Sequence, residues 1–196
     1  MCPPAGTQGH LSPTRRPTLL VWGFMGCGKS TVGRLVAKQS GARFCDLDHR
    51  IEATAGVPLA VLFEEGGEPA FRQVEQQQLA LVLDGAAQKH ECLVVALGGG
   101  TLLDPQVRAR ALSETFVVAL SAQVDTITTR ASGTQLPQRR RPLLDGANRR
   151  ETIAHLLKQR SAAYDETHTT ICTDDRTPEW VTSELLNRWQ GWHPAC

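Results

Sequence analysis

At 196 residues and 41% apolar content, the chain is long enough to bury one full core, and nothing in it forces a second domain. Its formal net charge of +1 hides a local excess: residues 130–150 hold six arginines against the single acid Asp145, so this stretch is +5 and the remainder −4. Such localisation argues against the extended basic face of a DNA- or RNA-binding protein and for capture of a small anionic ligand.

Six cysteines at 2, 27, 45, 92, 172 and 196 form no CxxC pair, which reads as a reduced intracellular protein without a zinc site. The first 17 residues are rich in proline and small polar residues and lack acids, so a disordered leader is expected there, followed by a single domain over 18–192. No apolar run reaches the length of a membrane span. A soluble, cytoplasmic monomer with no nucleic-acid or membrane partner is therefore expected.

In chain order, the first strand-length apolar run is 19–22, followed by a helical pattern carried by Val32, Leu35 and Val36. A weaker strand signal covers 43–47. A long helix is expected over 68–88, a buried strand over 93–97, a helix over 105–112 and a strand over 116–120. Residues 131–147 have no clear period and contain Gly, Pro and the arginine cluster, the composition of a lid. A helix over 150–164, a weak strand over 170–173 and a helix over 178–189 complete the chain. The strand runs are continuous rather than alternating, which marks strands covered on both faces. These patterns predict a doubly wound α/β fold: a three-layer α/β/α sandwich around a five-stranded parallel sheet, with ligands at the carboxyl ends of the strands.

The stretch "GFMGCGKST" at 23–31 satisfies the G-x4-G-K-S spacing of a phosphate-binding P-loop, between a buried strand and a helix. Gly26, Cys27, Gly28, Lys29, Ser30 and Thr31 are its candidate nucleotide contacts. Glycines let backbone N–H groups turn inward around an anion, and the helix N-terminus adds positive charge. Lys29 neutralises terminal phosphates and the Ser30 hydroxyl can ligate Mg²⁺. A helix N-terminus beside Cys27 would make its thiol more acidic, although a small filler is the reading favoured there.

P-loops serve several enzyme classes, so other motifs must decide the acceptor. "DLDHRIEATAG" follows the second strand, "EEGGEPAFRQVE" opens the long helix, "LGGGTLL" ends the third strand, "RRRPLL" lies in the lid segment and "KQRSAAY" spans 158–164. In this order, over roughly 18–190, the set resembles the shikimate kinases, P-loop enzymes related to nucleoside monophosphate kinases. The resemblance implies transfer of the γ-phosphate of ATP to the 3-hydroxyl of shikimate, with ATP and Mg²⁺ as nucleotide and metal.

It also implies roles. Asp46 and Asp48, at the end of the second strand, are expected to point in different directions. Asp46 would hold Mg²⁺, and Asp48 would orient or deprotonate the acceptor hydroxyl. The third strand ends in "VVALGGG" with no acid, so Asp46 is the carboxylate left for the metal. Arg72, with Glu75 three residues on, and Arg160 would grip the substrate carboxylate, for which a guanidinium offers parallel hydrogen bonds. Gly98, Gly99 and Gly100 would let the backbone approach the polyhydroxylated ring, with the middle glycine in contact. Arg141, before Pro142, matches the lid arginine that stabilises charge in transfer, though the length of this segment leaves open which of Arg139, Arg140 and Arg141 reaches ATP. Arg130 corresponds to an arginine that stacks on adenine, and Arg176 and Pro178 in "TDDRTPEW" correspond to the adenine loop. Two alternatives are a sugar acid kinase of the gluconate kinase type and a non-catalytic nucleotide-binding protein of the same fold.

Overall fold

In a computed structural model that describes residues 17–132 and 148–192, the apolar runs form strands β1 (Leu19–Gly23), β3 (Leu93–Ala96) and β4 (Phe116–Ser121). The two weaker signals become β2 (Arg43–Asp46) and β5 (Thr169–Cys172). All pairings are parallel, in the order β2-β3-β1-β4-β5. The register sets Leu19 beside both Val94 and Phe116, so β1 is central.

Continuity of the apolar runs has a direct cause. Successive side chains of a strand face opposite sides, and here both sides are cores. Leu19, Val21, Val94 and Val118 face one core; Leu20, Trp22, Val95 and Val117 face the other. On the first side lie α1 (Lys29–Ser40), α5 (Val124–Ser132), α6 (Arg149–Asp165) and α7 (Pro178–Gln190), which contribute Val32, Val36, Ile127, Ile153 and Leu185 to that core. On the second lie α2 (Leu47–Ala55), α3 (Leu59–Lys89) and α4 (Pro105–Glu114), through Ile51, Leu79, Leu83 and Ala111. The three-layer parallel sandwich expected from the sequence is thus the observed architecture.

Two helices carry signals too short for periodicity to reveal. The nine-residue α2 is defined by its ends: the Asp46 carboxylate accepts from His49 N–H at 3.3 Å, and Gly56 closes it with φ 72°. The threonine-rich α5 has poor intrinsic propensity. Its start is held instead by Asp174, both of whose carboxylate oxygens accept from Gln123 N–H at 3.1 Å. The long helix also begins earlier than 68. Its first eight residues precede a break at Gly67 (φ 69°, ψ 176°), after which Pro69 sits in the first turn of the second part.

Strand order fixes the place of the site. The chain leaves β1 toward the β2 edge and leaves β3 toward the β4 edge, so the neighbours β1 and β3 are a topological switch point. Their carboxyl ends run into the Gly23 loop and the Gly98 turn. The lid segment expected over 131–147, apart from its first two residues, lies outside the described residues, as do the leader expected over 1–17, apart from Pro17, and Arg141.

Candidate active site

Above that switch point opens a cavity of about 1200 Å³. Every site residue expected from the sequence that falls within the described segments lines it: Gly26 to Thr31, Asp46, Asp48, Arg72, Gly98 to Gly100, Arg130, Arg160, Arg176 and Pro178.

The phosphate-facing half is made by the β1–α1 loop. Gly26 and Gly28 have φ of 81° and 89°, left-handed values that a side chain resists, and this curl leads into the N-terminus of α1, where the first helical N–H groups have no intrahelical acceptor. The Lys29 ammonium donates to the Phe24 carbonyl at 2.9 Å, which holds it over the loop. Ser30 Oγ donates to Asp46 Oδ2 at 2.7 Å. A hydroxyl and a carboxylate oxygen thus converge beside the loop, the hard oxygen donor set that Mg²⁺ prefers. No group of three or more His, Cys, Asp or Glu suited to a metal occurs among the described residues.

Cys27 does not have the acidic thiol that proximity to a helix N-terminus suggested. It is 1% exposed, and burial pushes its pKa up against the opposing charges of Lys29 and Arg130. Desolvation outweighs the local field, leaving Cys27 as packing beneath the loop.

Arg130 is anchored. Its guanidinium donates to Thr173 Oγ1 at 2.9 Å, to the Thr173 carbonyl at 2.8 Å and to the Gly26 carbonyl at 3.4 Å, tying the end of β5 to the P-loop. These bonds occupy the edge of the guanidinium plane, so stacking on a base would use its face. Arg176 is exposed, with Cζ 4.5 Å from the Trp180 ring centroid, and Pro178 opens α7 beside it.

In the other half, Asp46 and Asp48 diverge for a reason other than strand alternation. In an extended strand, residues i and i+2 share a face. Here the chain turns into α2 directly after Asp46, which becomes the helix cap bonded to Ser30, while Asp48 lies in the first turn and reaches toward Gly98.

Arg72 is held from both sides. Its Nη1 meets Glu75 Oε2 at 2.6 Å and its Nη2 meets Glu68 Oε1 at 3.0 Å. Burial disfavours its charge, but Glu75 and then Glu68 more than offset this, so its pKa is raised. Glu75 is 1% exposed and also accepts from Thr101 Oγ1 at 2.5 Å. The glycine turn is packed against these groups. A Cβ at Gly98 would fall 2.5 Å from Glu75 Oε1 and 3.1 Å from Asp48 Oδ1, and one at Gly100 would fall 2.2 Å from Arg72 Nη2. Lack of side chains here lets the turn nest against charged groups. Opposite, Arg160 of α6 is 9% exposed, its Cζ 5.8 Å over the Phe24 ring. Phe63 and Phe71, with ring centroids 4.3 Å apart, add an apolar wall.

Sequence reasoning assigned nothing to Thr101, Glu68, Thr173, Tyr164 or the phenylalanine pair. Glu68 was legible as an i, i+4 partner of Arg72, and Tyr164 as an i+4 neighbour of Arg160. Thr173 carries no such signal, because its role arises only where β5 ends beside α5.

Fold and cavity together define a P-loop phosphotransferase whose nucleotide cradle adjoins a pocket bearing two arginines and an aspartate. A family model described as shikimate kinase matches residues 25–190. The shikimate kinase of Xylella fastidiosa is 36% identical over 171 residues, 87% of this chain and 90% of its own length. That of Geobacter sulfurreducens is 36% identical over 180 residues, 92% of this chain and 94% of its own. A solved structure titled shikimate kinase from Acinetobacter baumannii in complex with shikimate superposes with a TM-score of 0.76 at 32% identity, covering 88% of this chain and 92% of that one. The chain belongs to the shikimate kinase family. A gluconokinase from Sinorhizobium meliloti, at 16% identity and a TM-score of 0.60 over 90% of this chain and 93% of that one, shares the fold alone.

Proposed function

We propose that this chain transfers the γ-phosphoryl group of ATP to the 3-hydroxyl of shikimate. The observation that carries this reading is the junction of two halves in one cavity, with the P-loop on one side and Asp48, Arg72, Arg160 and the glycine turn on the other. A carboxylate-bearing acceptor suits two guanidinium groups, and a polyhydroxylated ring suits a turn without side chains. In this reading Arg72 and Arg160 bind the acid group, and Gly98 to Gly100 face the ring.

Asp48 accepts a hydrogen bond from the attacking hydroxyl and takes its proton. As the new O–P bond forms, the bond between the γ-phosphorus and the bridging oxygen of ADP breaks. Backbone N–H groups of 26–31 and the Lys29 ammonium receive the charge that develops on the phosphates. Ser30 and Asp46 would hold Mg²⁺, which neutralises phosphate charge when bound. Arg130, Arg176 and Pro178 contact the base, and the resemblance gives Arg141, outside the described residues, the role of stabilising charge on the phosphates. Water must be kept out, since ATP hydrolysis competes. No described helix is long and apolar enough to cross a membrane. A monomer acting in the cytoplasm, without nucleic-acid partners, fits this chemistry.

A coupled assay of ADP release by the purified chain tests the reading, with shikimate, gluconate or no acid. Release that depends on shikimate is expected. Release driven by gluconate alone would transfer the chain to the sugar acid kinases in activity. ATP binding without acid-dependent release would make it a non-catalytic binder.

A further inference from the structure

Acceptor binding in the reading above needs Arg160 and the glycine turn at a fixed separation, yet they belong to different elements, α6 and the end of β3. Tyr164 joins them. Its hydroxyl donates to the Gly99 carbonyl at 2.8 Å across 65 residues of sequence. Arg160 lies one helical turn earlier on the same face of α6, and Tyr164 packs edge-on against Trp22 of β1, with centroids 4.7 Å apart. Burial pushes the Tyr164 phenol up to about 12, against the opposing charge and hydrogen bond of Arg160. The hydroxyl therefore remains a donor throughout the neutral range.

The far end of the same turn is tied to the same helix. Arg108, 6% exposed, donates through Nη1 to the carbonyls of Leu102 at 2.9 Å and Leu103 at 3.0 Å. Its Nε and Nη2 meet Glu166 Oε2, just past the end of α6, at 2.8 Å. The glycine turn is thus fastened to α6 at two points, and Tyr164 is the one that touches the middle glycine.

We propose that Tyr164 is a positioning residue for the acceptor, acting through the Gly99 peptide to hold the glycine turn in register with Arg160. This rests on the acid-binding reading of the pocket. Tyr164→Phe removes the hydroxyl and keeps the ring on Trp22. Loss of one hydrogen bond predicts a rise in the KM for shikimate of about fivefold, with the KM for ATP unchanged and kcat altered less than the acceptor KM. A purely structural defect would move both KM values together, or neither, and either result overturns the proposal.

Amide hydrogen exchange on the intact chain without substrate supplies the second readout. In Tyr164→Phe, exchange in residues 97–103 should accelerate about fivefold while β1 and the P-loop stay as in the parent. Unchanged exchange in that turn, or equal acceleration everywhere, overturns the proposal. If the parent chain phosphorylates no acid, the functional reading falls, and exchange still decides whether Tyr164 holds the turn.

Discussion

In the phosphate-facing half of the cavity, eight of the lining residues are consecutive, 25–32, and the chemistry rests on one short loop. In the acid-facing half, Asp48, Arg72, the glycine turn and Arg160 arrive from α2, α3, the end of β3 and α6, and the chemistry is that of side chains. The first half needs only local geometry: a strand, a curl of glycines and a helix N-terminus. The second needs a scaffold that holds separate elements in register. It is supplied by buried polar links: Glu75 to Arg72 and Thr101, and Tyr164 to Gly99. A preformed cradle and an assembled pocket should therefore fail differently when damaged.

The largest expected effect falls on the cradle. Lys29→Met removes the ammonium held over the loop and should lower kcat by about 10³-fold, the scale of losing a preorganised charge-stabilising donor. Single-turnover measurement with saturating shikimate reads this directly. A loss confined to the KM for ATP would make Lys29 a binding group and blur the distinction between the halves. Next comes the junction. Asp48→Asn keeps shape and hydrogen bonding but cannot take the proton, so kcat should fall by about 10²-fold while shikimate still binds. An active Asp48→Asn enzyme would remove the only base the reading assigns.

The two halves also differed in how far they could be read before the fold was known. Gly-x4-Gly-Lys-Ser is contiguous, so its function could be derived from spacing alone. The strands β1, β3 and β4 were likewise visible, because burial on both faces writes an uninterrupted apolar run, whereas the less buried edge strands β2 and β5 left weaker signals. Asp46 and Asp48 were legible as neighbours at the end of β2, but the cause of their divergence was not, since α2 is too short to announce itself by period. At Cys27 the favoured filler reading agrees with 1% exposure, while the acidity that a helix N-terminus suggests is cancelled by burial, which sequence does not display. The links of Tyr164 and Arg108 span 65 and 58 residues, and no local pattern encodes such pairings.

The assembled half is tested by Arg72→Ala. Its guanidinium is held by Glu75 and Glu68 inside the cavity, so truncation removes charged hydrogen bonds to the acid and leaves Glu75 buried without this partner. The KM for shikimate should rise about tenfold or more, with ATP affinity little changed. Equal losses for both substrates would mean that the pocket and the cradle are one cooperative unit.

The smallest effect belongs to Cys27, the one side chain that a redox role would place in the cradle. A buried thiol with a raised pKa is a poor nucleophile, because the thiolate is the reactive form. Titration of the native chain with a disulfide reagent should therefore count the same number of reactive thiols in Cys27→Ala as in the parent. The substitution should cost about 1 kcal/mol of stability, as expected for a small buried group, and leave both KM values in place. One fewer reactive thiol in the variant, together with protection of that thiol by ATP in the parent, would put a chemically active side chain in a loop otherwise built from backbone. The contrast between the two halves would then fail at its simplest point.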